Sequence, residues 1–153
     1  KEPGNGVGDV RRSLAAVVLL SVLLAFSLSI VAAASPISVV GNILAESIIN
    51  TSKGARINKA ITKFKAGTVA DFDSLTQFLI ADAGMYTMRL EIAGPDKQLR
   101  AYYGFMVEAT SADWIHSQLI HWRAVGFDQA GVYQFVVRMG KKVIASFPIS
   151  ASN

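Results

Sequence analysis

Two histidines and a pair of carboxylates are the residues here whose types could do chemistry. His116 and His121 are the only histidines in the 153 residues. They are five apart. A strand alternates its side chains, so an odd separation puts them on opposite faces; a helix would rotate them by about 140°, again off one face. A shared metal would also need Asp113 or Glu108 brought round. The expectation is therefore two ordinary sandwich-face histidines. Asp71 and Asp73 are two apart near the start of a strand and share a face. With no His or Lys adjacent in sequence, they read as solvating or capping acids rather than an acid–base pair. No G-x-S-x-G turn and no glycine-rich phosphate cradle occurs. Cysteine is absent, which excludes a disulfide framework, a thiolate metal site and a cysteine nucleophile. The expected chain is non-catalytic, with no cofactor and no metal.

The elements that would position these residues begin with an apolar run. Residues 14–34 contain no charge, His, Pro or Gly. As a helix the run spans roughly 30 Å, the thickness of a bilayer's hydrocarbon core. Arg11 and Arg12 precede it, and small residues 32–35 suit a cleavage site. The run exceeds the length of a signal peptide's core, so it reads as an uncleaved signal-anchor: a transmembrane helix over 14–35 after a flexible tail over 1–13. Ser21, Ala25, Ser29 and Ala32 form a small-residue stripe suited to close helix packing in lipid. With no ionisable side chain, the span anchors and packs; it holds no haem metal and carries no protons.

Residues 36–66 read as an amphipathic juxtamembrane linker. Ile37, Val40, Leu44 and Ile48 follow a helical period after Pro36. Residues 50–54 read as a turn, with a short glycosylation sequon at 50–52. Residues 56–65 then form a basic amphipathic helix, with a strand as the alternative. Lys53, Arg56, Lys59, Lys63 and Lys65, with no acid among them, are candidates for anionic lipid headgroups. They account for the net charge of +4, since residues 66–153 carry seven Lys/Arg against eight Asp/Glu. Without interleaved aromatics, this basic stretch does not suit nucleic acid.

From residue 67 the period changes. Met88, Leu90 and Ile92 alternate with polar residues, as do Leu99–Val107, Tyr133–Val137 and Val143–Ile149; with candidates near 75–80 and 114–125, six or seven short strands predict a β-sandwich over 67–153. Within it, Tyr103 and Phe105 are expected in the core, and Tyr102 and Trp114 are candidates for an interface. The motif Asp82-x-Gly84-x-Tyr86 and the longer Asp128-x-x-Gly131-x-Tyr133 each open a strand pair. On these residues the region 67–151 resembles the immunoglobulin-like superfamily, whose tyrosine corner has the form D-x-G-x-Y. The resemblance implies a fold, with Tyr86 or Tyr133 bonding nearby backbone; the expected Cys pair is missing, and no central Trp is assignable.

The sequence thus predicts a single transmembrane α-helix, a short helical and basic linker, and an all-β immunoglobulin-like sandwich. The near charges Arg11 and Arg12 place the N-terminus in the cytoplasm and the sandwich outside. The expected role is a single-pass accessory subunit of a larger membrane complex, for which a photosynthetic or respiratory assembly is one setting. Its partners would be other membrane subunits and the bilayer. A pilin-like filament subunit, or a membrane-tethered ligand- or metal-binding domain centred on His116, are the alternatives.

Overall fold

The computed structural model describes residues 35–153. The transmembrane helix expected over 14–35, with its stripe Ser21, Ala25, Ser29 and Ala32, and the tail expected over 1–13 lie outside the described residues, save for Ser35.

Nine strands follow in order: β1 (Ile37–Thr51), β2 (Gly54–Ala60), β3 (Lys63–Lys65), β4 (Thr68–Ile80), β5 (Gly84–Ala93), β6 (Leu99–Ala109), β7 (Trp114–Phe127), β8 (Gly131–Met139) and β9 (Lys142–Ser152). They form two sheets. One has the order β2-β1-β4-β7 and the other β3-β9-β8-β5-β6. Every pairing is antiparallel except the short parallel β3–β9 contact.

Alternation builds the core. Met88, Leu90 and Ile92 of β5, and Tyr133, Phe135 and Val137 of β8, point inward at every second position and are buried. Phe72, Phe78 and Ile80 of β4 and Ile120, Trp122 and Phe127 of β7 meet them from the other sheet, giving one contiguous apolar cluster. Trp122 packs edge-on to Phe135, with ring centroids 6.0 Å apart.

The linker expectation over 36–66 is corrected. Residues 37–49 belong to β1, not to a helix, and β2 and β3 replace the expected basic helix. These three strands are structural members of the two sheets, so the sandwich begins at β1. The composition favours this outcome, because Ile37, Val39, Val40, Ile43, Ile48 and Ile49 are β-branched and stiff at χ1. The apparent helical period has a specific cause. A bulge between Val39 and Gly41 shifts the β1–β4 register, so Ile37 and Leu44 both turn inward although they stand an odd number of positions apart.

Candidate functional site

Asp73 is buried at 4% exposure, and three strands meet at its carboxylate. The β1–β4 ladder ends at the pair Ala45–Asp73. Beyond that point Asp73 Oδ2 accepts from the Ile48 amide at 2.7 Å, holding β1 after it leaves the ladder. On the other side Asp73 Oδ1 lies 2.7 Å from His121 Nδ1, its register partner on β7. The carboxylate can only accept, so Nδ1–H donates.

Asp71 has a comparable role one bulge away. On β7, Arg123 and Ala124 oppose the single residue Asp71, and Ala124 takes a positive φ of 52°. Asp71 Oδ1 accepts from the Ala124 amide at 2.8 Å. The bulge also explains how Trp122 and Val125, an odd distance apart, are both buried. Each carboxylate thus satisfies an irregular backbone amide.

An Asp–His pair is part of a nucleophilic triad, but a triad needs a hydroxyl or thiol at the second imidazole nitrogen. Among the described residues no hydroxyl hydrogen-bonds His121 Nε2. His116 lies on the opposite face of β7, its ring 6.3 Å from Phe105 and 6.2 Å from Phe78, with Nε2 3.3 Å from Gln118 Oε1. The two imidazoles cannot share an ion. Among the described residues no group of three or more His, Cys, Asp or Glu side chains could hold a metal.

The residues of the second motif come together at one end of the sandwich, and those of the first lie at the other, because β5 and β8 run antiparallel. The Tyr133 hydroxyl lies 2.9 Å from Asp128 Oδ1 and 3.2 Å from the Gln129 carbonyl. Gly131 has φ +146°, and a Cβ there would stand 2.8 Å from Pro95 Cγ. Donation from Tyr133 holds the Asp128 carboxyl below the usual carboxylate range, with Arg100 assisting. Burial pushes the Tyr133 phenol up. Arg100, which sequence reasoning missed, also pairs with Asp96 at 2.9 Å and so ties the β5–β6 turn to the β7–β8 turn. The first motif is simpler: Tyr86 donates to the Asp82 carbonyl at 2.9 Å, and Gly84 has φ +157°.

A tyrosine at the start of β8, bonding back to the preceding turn, completes the pattern set by the strand orders. Strands β9-β8-β5-β6 match the G-F-C-C′ order and β1-β4-β7 the A-B-E order of the variable-type sandwich. The fold is an immunoglobulin-like β-sandwich. Phe135, two residues after the corner Tyr133, stands where antibody domains place the second inter-sheet Cys, and its contact with Trp122 bridges the sheets there.

No protein-family model matches the chain, and no curated protein matches it. Among solved structures it is similar to an immunoglobulin-like protein from Pseudomonas aeruginosa, at 15% identity over 78% of this chain and 98% of that one, with a TM-score of 0.41. It is also similar to a CARDB domain from Pyrococcus furiosus solved in complex with di-metal ions, at 10% identity over 73% and 93% of the two chains, with a TM-score of 0.37. The fold assignment rests on the strand order, the register and the corner.

The surface residues sort by strand. Tyr102 stands on the outer face of β6, 62% exposed, with the Arg89 guanidinium 4.3 Å above its ring. Arg89 and Arg138 flank Glu91 at 2.9 Å each, a cluster that sequence alone does not show because it needs the β5–β8 register. Trp114 is exposed at the start of β7. The core expectation for Tyr103 is corrected: it is 44% exposed, because β6 is the last strand of its sheet and has no neighbour to cover that side. Phe105 is half-buried against the core. Lys53 lies in the β1–β2 turn, Arg56 and Lys59 on β2, and Lys63 and Lys65 either side of buried Phe64 on β3. All five cations are exposed, and Lys59 pairs with Glu46.

Proposed function

We propose that this chain is a non-catalytic, membrane-anchored contact domain of a larger membrane assembly, docking through the side of the sandwich where β6 and β7 lie. One observation carries the reading. Strand β6 ends its sheet, its segment 101–107 is uncharged, and Tyr102, Tyr103 and Met106 are exposed along it. Strand β7 ends the other sheet on the same side, as the His116–Phe105 stacking across the seam requires, and adds exposed Trp114 and Ile115. Aromatic and Met side chains on an unpaired edge suit a protein partner, since they bring large contact area at little entropic cost.

The apolar run over 14–34 would tether the domain, and Arg11 and Arg12 favour a cytoplasmic N-terminus with the sandwich outside. Exposed Lys53, Arg56, Lys63 and Lys65 suit anionic headgroups nearby. Purification of the full chain from its native membrane in mild detergent tests the reading. Partner chains, whether other subunits or a second copy, should co-elute, and the double substitution Tyr102→Lys with Met106→Lys should release them. A chain that elutes as a lone monomer, or partners that stay bound to the double variant, would refute it.

A further inference from the structure

Resting on that reading, we propose that the occupant of the β6 edge is β6 of a second copy, paired antiparallel about a two-fold axis at Gly104. The edges of the molecule are not equivalent. Strand β2 carries Arg56 and Lys59 at one edge, and β3 carries Lys63 and Lys65 at another, placements that discourage strand addition. Strand β7 is bent by the bulge at Ala124. Strand β6 is 11 residues long, and among the described residues it pairs with β5 alone. Its register shifts only at the Leu99 end, and it carries no charge between Arg100 and Glu108.

The sequence of β6 is self-complementary in one register. A two-fold perpendicular to the sheet must pass through a residue that faces itself, because directly opposed side chains share a face. Centred on Gly104, Tyr102 faces Met106 of the copy, Tyr103 faces Phe105 and Ala101 faces Val107, while Arg100, at the register shift and held by Asp96 and Asp128, lies outside the pairing. Aromatic–aromatic and sulfur–aromatic pairs are each favourable across strands. Centred on Phe105, the same operation would set Tyr102 against Glu108. Centred on Tyr103, it would set Tyr102 against Gly104, leaving that ring without a side chain to face. The Gly104 register alone among these gives every aromatic an apolar partner. A residue without a side chain at the axis lets the two backbones meet, and a Cβ there would still have room, its nearest neighbour being the Met88 carbonyl at 4.0 Å. The contact is isologous and closes on itself, so it yields dimers rather than filaments.

The chain has no cysteine, so single-Cys variants report without background. The full chain in nanodiscs should be a dimer by sedimentation, and Gly104→Cys should form roughly ten-fold more disulfide-linked dimer than Val143→Cys, which lies on β9. Tyr102→Lys with Met106→Lys opposes like charges across the axis and should yield monomer. Tyr102→Glu with Met106→Lys opposes unlike charges and should restore the dimer. A wild-type monomer, or a dimer indifferent to both double variants, would overturn the pairing. Gly104→Cys linked to a different chain in the native membrane would overturn self-pairing while leaving the docking reading intact. Failure of both would show as no adduct at Gly104 and partners retained by the Lys double variant.

Discussion

Tyr133 fastens the turn ahead of its own strand, placing its hydroxyl 2.9 Å from Asp128 Oδ1 while its ring packs 4.9 Å from Phe127. The same carboxylate receives Arg100 from the β5–β6 end. One buried phenol therefore links the core to a small charged network at the end of the sandwich.

Removal of that hydroxyl should be felt throughout the fold. Tyr133→Phe leaves a buried corner unbonded and should cost about 1–2 kcal/mol in chemical denaturation. Tyr86→Phe removes a single bond at an exposed site and should cost about 0.5 kcal/mol. Equal losses would mean that the second corner has no special weight.

The Asp73 site predicts an asymmetry. Asp73→Ala strands the Ile48 amide and should destabilise by about 1–3 kcal/mol. His121 is 55% exposed at its side chain, and His121→Ala should cost about 0.5 kcal/mol. A large loss from the histidine variant instead would give the imidazole a role beyond bracing β7.

At Gly131 the left-handed backbone and the nearby Pro95 ring both oppose a side chain. Gly131→Ala should lower stability by about 1–3 kcal/mol. Gly104→Ala, where there is room and no strained φ, should stay within about 0.5 kcal/mol of wild type.

Stability should fall at both ends of the pH scale. The Gln98 amide, and then Arg100, hold the Asp96 carboxyl down, and Tyr133 does the same for Asp128. A depressed folded pKa contributes stability that is present above the unfolded value and lost as pH falls through the folded one, so the loss comes below about pH 4. Tyr133 is shifted upward by burial, so its contribution is complete below the unfolded value and lost as pH rises through the folded one, above about pH 10. Thermal melts across this range should show both limbs, and Tyr133→Phe should flatten the alkaline one.

What was legible in the sequence follows from what is local. Strands β5, β6, β8 and β9 announce themselves by alternation, and the two Asp–Gly–Tyr motifs mark where β5 and β8 begin. Residues 37–65 misled because the bulge at Val40 gave a strand the spacing of a helix, and because a basic edge strand and a basic helix face share a composition. The carboxylates Asp71 and Asp73 read as capping acids, but the amides they satisfy lie on β7 and β1, and only the register shows this. Tyr103 alternates like a core residue; its exposure depends on β6 being last in its sheet, a property of topology rather than of local pattern.

Amide hydrogen exchange on the full chain in its native surroundings tests the proposed docking surface most directly. If β6 is the contact edge, the outward-facing amides of residues 101–107 should exchange far more slowly than those of the β2 edge at Gly54–Ala60. Equal, rapid exchange along both edges would contradict the account.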